Sequence, residues 1–329
     1  MRTVINVLGL QRSGTTMLGL MISNGPDAFF CGEVGNWLKV SRHKPDHDTP
    51  RGFAPFQDLP ASRFHEDAFD HFNTNYLVDS TGGIDWIIDV NKWLSKTDIN
   101  VYNILIYKNP VRHTFSYWKR GIADTLSARY YKWPYRHRRI IRSGIDYVTV
   151  NYKNLVDSPA RTLRQICGYT GVSYFSRKEN FWESESNFIA SSPGVRQQVD
   201  RGSSGFALEP YPQQFEPVAN QVRKQVDQDS RIQYVLHTFM ARHLSHQPEH
   251  SPSAPHQYTP SMAGRIEHSL WKSLKGPLFR LRWNVIDPIF GDAADKLTKR
   301  LFYTHPEREN DPAAQSYDPD ADRDRSHKA

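Results

Sequence analysis

A chain of 329 residues with 42 Lys and Arg against 35 Asp and Glu carries a formal net charge of +7, which calls for an anionic partner without naming one. Its 38% hydrophobic and 12% aromatic content excludes a disordered chain, and no run approaches the roughly eighteen apolar residues of a membrane-spanning helix. Cys31 and Cys167 give no disulfide framework and fit a reducing compartment. The first residues lack the basic and then apolar pattern of a signal peptide, so a cytoplasmic protein is expected.

In chain order, Val4–Leu8 reads as a buried strand, Gly9–Thr16 as a tight turn and Thr15–Ser23 as a helix stopped by Asn24-Gly25-Pro26. Residues 40–75 lack a clean period and suggest an irregular insertion with short helices. Tyr76–Val78 is a short strand ending at Asp79-Ser80-Thr81, and a helical run follows Gly82-Gly83 as far as Lys96. Asn103–Tyr107 is the next strand, with Pro110 suited to the first turn of a helix. A basic, aromatic stretch over 124–143 is interrupted by Pro134. Tyr147–Asn151 is strand-like and leads to a helix that Ser158 and Pro159 would start.

Strands alternating with helices predict an α/β fold with three layers around a central parallel sheet. One long helix over 218–244 would close a domain spanning 1–245. Residues 246–260 read as a Pro/His/Ser linker, 261–306 as a basic, amphipathic, helical extension and 307–329 as a polar tail expected to be disordered. In the extension, Ile266, Leu270, Leu274 and Leu278 recur every four residues beside Arg265, Lys272, Lys275, Arg280, Arg282, Trp271 and Trp283, with Gly276-Pro277 breaking the pattern. An intramolecular or subunit contact is the favoured reading, and peripheral contact of 262–285 with an anionic membrane is the rival. No nucleic-acid-binding motif is present, so nucleic acid is not an expected partner. The pairs His43/His47 and the set His243, His246 and His250 have helical spacing but Pro-rich surroundings, and no metal site is expected.

The strongest signal is Gly9-Leu10-Gln11-Arg12-Ser13-Gly14-Thr15-Thr16 between a strand and a helix. Glycines let backbone N–H groups approach an anion at a helix start. The spacing is that of a Walker A loop, but Thr15 stands where its lysine belongs, and Arg12 supplies a cation earlier in the loop. That order of residues resembles the 5′-phosphosulfate loop of sulfotransferases that use 3′-phosphoadenosine 5′-phosphosulfate (PAPS), most of all the branch of tyrosylprotein and bacterial glycan sulfotransferases.

The resemblance implies that Gln11, Arg12, Ser13, Gly14, Thr15 and Thr16 hold the 5′-phosphosulfate of the donor. It implies a 3′-phosphate site at Lys108-Asn109-Pro110 with Ser116 eight residues on, although the family's arginine is here a lysine. Tyr152, opening Tyr-Lys-Asn-Leu, matches a tyrosine that approaches the adenine. Arg201-Gly202-Ser203-Ser204-Gly205 resembles a loop that closes over the 3′-phosphate, with Arg196 a rival for that role. Cys31-Gly32-Glu33 matches a motif whose glutamate is the general base. Arg12 and Glu33 are thus the implied catalytic residues.

Asp79-Ser80-Thr81 resembles an Asp-Ser-Ser-Lys turn, but Gly82 replaces the lysine that helps stabilise the transition state. Lys92, Lys96 or Arg12 alone are the candidates for its role. The implied reaction moves a sulfuryl group from PAPS to a hydroxyl, without a metal. A glycan or small glycoside is the first candidate acceptor, in a cleft formed by Glu33, residues 40–75 and the run Arg129–Arg138. The rivals are a P-loop nucleotide kinase, which Arg12 with Thr15 speaks against, and a non-catalytic nucleotide-binding protein of the same fold.

Overall fold

Along Thr3–Leu8 (β1) alternate side chains leave the strand on opposite faces: Ile5 and Val7 on one, Val4, Asn6 and Leu8 on the other, all buried. Both faces are covered by helices, which is why the strand reads as a nearly unbroken apolar run. The computed structural model describes residues 1–43, 52–120, 126–183 and 208–246. Linker, C-terminal extension and tail lie outside these residues, as do Arg196, Arg201 and Gly202.

Five parallel strands form the sheet: β1, β2 (Ala28–Gly32), β3 (Tyr76–Asp79), β4 (Asn100–Tyr107) and β5 (Val148–Asn151), in the spatial order β2-β3-β1-β4-β5. On one face lie α1 (Thr15–Ser23) and α8 (Pro159–Thr170), joined through Met17, Leu18, Met21, Leu163 and Ile166 to Ile5, Val7, Ile104 and Ile106. On the other lie α4 (Ile84–Leu94), α5 (Pro110–Trp118), α6 (Leu126–Arg142), α9 (Glu216–Gln228) and α10 (Ser230–Ala241), packed on Leu8, Leu105 and Tyr107. A third apolar cluster joins α2 (Val34–His43), Phe53, Phe56 and α3 (Phe64–His71) to Val4, Phe29 and Leu77. The result is the expected α/β architecture with a central parallel sheet.

Several elements differ from the sequence reading. Ala28–Gly32 is an edge strand, and the insertion after it opens with α2 before the short helices expected there. Helix α6 runs through Pro134, held by the fully buried Trp133 and His137, which pack on Phe239 of α10. A one-turn extra helix, α7 (Tyr152–Asp157), follows β5, and Ser158 makes no side-chain cap to α8. The long closing helix is two helices. Asp229 is extended and caps α10 by accepting from the Arg231 N–H, so the chain turns there. Among the described residues no helix is long and apolar enough to cross a membrane.

One polar group ties the layers together. Buried Asn103 accepts from Asn6 Nδ2 at 2.9 Å and Asn91 Nδ2 at 3.0 Å, and donates to Asn91 Oδ1 at 3.0 Å and the Asp146 carbonyl at 2.9 Å. It thus pins β4 to β1, to α4 and to the turn before β5. Asn103→Leu would strand two buried amides, at about 1–3 kcal/mol for each unsatisfied group. The denaturation midpoint should fall with the slope unchanged, as measured by urea titration.

Candidate functional site

All five strands end on one edge of the sheet, and each end carries chemistry. Glu33 follows β2, Asp79–Thr81 end β3, the loop Gly9–Thr16 follows β1, Lys108 follows β4, and Tyr152 follows β5. Adjacent strands lie about 4.8 Å apart, which places Glu33 about two spacings to one side of the β1 loop and Lys108 about one spacing to the other.

The loop adopts the left-handed conformations that its glycines anticipate. Gly14 has φ of 101°, and a Cβ there would meet the Tyr152 ring at 2.8 Å, so only glycine fits. Arg12 has φ of 75° without being glycine, a strained position that its surroundings must enforce. They do so through its neighbour, because His113 Nε2 and the Tyr117 hydroxyl of α5 both donate to the Gln11 carbonyl at 3.1 Å. No side chain caps the start of α1, which leaves its first N–H groups facing the loop. Ser13 Oγ and Arg12 Nε are buried and have no hydrogen-bond partner among the described residues. Two unpaired donors, uncapped N–H groups and a cation at one turn suit the oxygens of a phosphate or sulfate. Thr15 and Thr16 open the helix beside them, with Thr16 buried.

Lys108 is the second cation. Its Nζ donates to Ser116 Oγ at 3.2 Å and lies 3.9 Å above the Tyr152 ring. Asn109 caps α5 by accepting from the Arg112 N–H at 2.7 Å, and this cap carries Ser116 back beside the lysine two turns later. Trp133 Nε1 donates to the Lys108 carbonyl at 3.1 Å, so α6 also holds this strand end. Burial, with repulsion from Arg12 and Arg112, pushes Lys108 down to about 7. Burial likewise holds Arg12 below its ordinary range, with Arg120 adding repulsion. Tyr152 touches both ends of the site, lying against Gly14 and under Lys108. Burial pushes its hydroxyl up. The structure therefore brings Arg12, Ser13, Gly14, Lys108, Ser116 and Tyr152 together.

Glu33 stands at the start of α2, after Gly32 with φ of 67°, and is half-buried. Its carbonyl accepts from the N–H groups of Asn36 and Trp37, and its carboxylate from Asn36 Nδ2. Between it and the phosphate loop runs the turn after β3, where a Cβ on Gly82 would sit 3.0 Å from the Gly9 carbonyl oxygen. Lys92 and Lys96 do not join this edge. Both are exposed near the far end of α4, where the chain enters β4.

Sequence reasoning missed His113, Tyr117 and Trp133, and also Arg112, whose guanidinium lies 4.2 Å from the Tyr211 ring and donates to the Glu209 carbonyl at 2.5 Å. The four-residue spacing of His113 and Tyr117 on one face of α5 was the available signal. His243 is bonded to Asn154 and Ser245.

A lysine held at about 7 makes anion binding pH-dependent. Charged Lys108 favours the anion, so affinity should be full below that pH and fall above it by up to about tenfold per pH unit as the unliganded lysine loses its proton. Titrating adenosine 3′,5′-bisphosphate calorimetrically across neutral to alkaline pH checks this, and Lys108→Arg should flatten the alkaline fall.

No family model and no curated protein matches this sequence. Solved structures do match. The sulfotransferase domain from the Synechococcus PCC 7002 olefin synthase aligns with a TM-score of 0.50 at 16% identity, over 69% of this chain and 95% of that one. The sulfotransferase domain from the curacin biosynthetic pathway aligns at 13% identity with a TM-score of 0.45, over 69% and 98%. The sulfotransferase from Alicyclobacillus acidocaldarius aligns at 14% identity with a TM-score of 0.33, over 72% and 96%. On the first of these likenesses, taken with the parallel sheet and the loop that follows its central strand, the chain has the P-loop-like fold of a sulfotransferase domain.

Proposed function

We propose that this protein transfers a sulfuryl group from PAPS to a hydroxyl of a glycan or small-molecule acceptor, with Glu33 as general base. The observation that carries this reading is the pair of partly buried cations after neighbouring strands, Arg12 and Lys108, with Tyr152 between them. One phosphate loop would serve any nucleotide. A second cation with its own serine, one strand away, suits a donor with anionic groups at both its 5′ and 3′ positions. The Walker lysine that a nucleotide kinase needs is absent at Thr15.

In this reading the 5′-phosphosulfate lies on the N–H groups of the loop, with Ser13 Oγ and Arg12 Nε meeting its oxygens. The 3′-phosphate lies on Lys108 and Ser116, and the Tyr152 ring supports the nucleotide between them. The acceptor approaches from the β2 side. Its hydroxyl oxygen forms a bond to sulfur while the bond from sulfur to the phosphate oxygen breaks. The electron pair leaves on adenosine 3′,5′-bisphosphate, and the hydroxyl proton passes to the Glu33 carboxylate. Arg12 offsets charge developing on the bridging oxygen, since neither Lys92 nor Lys96 stands at this edge. Positioning and electrostatics then carry most of the rate enhancement, as in phosphoryl transfer.

The test is transfer from radiolabelled PAPS to a panel of hydroxylated glycans and glycosides. Glu33→Gln should lower kcat on any accepted substrate by about 10²–10⁴-fold, with the affinity for adenosine 3′,5′-bisphosphate unchanged. Full transfer by the variant would remove Glu33 as base. Tight bisphosphate binding with no transfer to any acceptor would favour a non-catalytic binding protein.

A further inference from the structure

The geometry points to Asp79 and Thr81 as positioning residues that set Glu33 at the correct distance from the phosphate loop. The inference rests on the reading of Glu33 as base. Asp79 ends β3 with no exposure to solvent, and a buried carboxylate is tolerable only when its oxygens are hydrogen-bonded. Oδ1 accepts from the Thr81 N–H at 2.8 Å and from the Thr81 hydroxyl at 2.6 Å. Oδ2 accepts from Trp86 Nε1 at 2.8 Å and lies 3.4 Å from His65 Nε2.

Both oxygens lead to the same place. The Thr81 hydroxyl spends its proton on Asp79, so its lone pair is free to accept from the Gly35 N–H, at 3.0 Å. The Trp86 ring, aimed by its bond to the other oxygen, lies against Gly35 so closely that a Cβ there would be 2.6 Å from it. Gly35 is in the first turn of α2, two residues after Glu33. Asp79 therefore reaches that turn twice, once through a hydroxyl and once through an indole. On its other flank the turn after β3, which carries Asp79 and Thr81, abuts the loop that follows β1, at Gly82 against the Gly9 carbonyl. A turn fixed on both flanks sets the spacing between base and sulfur. A stabilising turn alone would need only the Asp79–Thr81 contact.

Thr81→Val removes the hydroxyl at nearly constant shape, and Thr81→Ser keeps it. With Thr81→Val, kcat should fall about 10- to 100-fold, the scale of a misplaced reacting group, while KM for PAPS and bisphosphate affinity hold. Amide exchange at Gly35 should quicken, and Thr81→Ser should restore both. In a Glu33→Gln background Thr81→Val should cost no further activity, because the two act through one group. Wild-type kcat in Thr81→Val, a loss that Thr81→Ser shares, or a parallel fall in bisphosphate affinity would each overturn the inference. Failure of the base assignment is distinct, since Glu33→Gln would then retain transfer whatever Thr81 does.

Discussion

Two cations held near each other and partly out of water would separate if nothing opposed them. Burial weakens the hold of each on its proton; Arg12 then adds repulsion on Lys108, and Arg120 adds it on Arg12. Much of the surrounding architecture keeps them in place. The left-handed turn of the loop is secured from α5 through the Gln11 carbonyl, and the end of β4 is secured from α6 through Trp133. The aromatic face of Tyr152 and the Ser116 hydroxyl meet the Lys108 ammonium, and Glu209 offsets part of the repulsion on it. Such a site gains most from an anion, because one ligand relieves the repulsion and fills the unpaired donors together.

The order of strands turns this local device into a linear arrangement. With β1 central, the loop that follows it sits between two flanks, which in the proposed reading take the nucleotide's second anion and the acceptor. The β4 and β5 side is rich in cation and aromatic groups, whereas the β3 and β2 side carries the carboxylates Asp79 and Glu33. The charges are separated across the sheet edge, and the Glu33 carboxylate accepts from the neutral Asn36 amide instead of a cation.

Much of this was legible in the sequence because the chemistry is local. Strand, loop and helix over 3–23 are contiguous, and so are the strand end, Asn-Pro cap and serine over 103–116. Ala28–Gly32 escaped notice because five residues after a strong turn carry too little periodicity. The break at Asp229 was written in an Asp-Ser pair suited to a cap, but the apolar period continues across it. Pro134 argued against a continuous helix, and packing of Trp133 and His137 against Phe239 overrode it. The Tyr152–Gly14 contact and the α5 grip on Gln11 join residues about a hundred or more positions apart, which spacing along the chain cannot reveal. The route from Asp79 to Gly35 has the same character.

The approach of Gly82 to the Gly9 carbonyl bears on how this chain can diverge. A side chain at 82 would press its first carbon on backbone that also shapes the anion loop, so a lysine there cannot be had without some movement of that loop. Positions 9 and 82 are therefore mechanically tied, although 73 residues separate them. Fitting any larger residue at 82 asks the Gly9 carbonyl to yield by a few tenths of an ångström, and with it the turn that opens the loop.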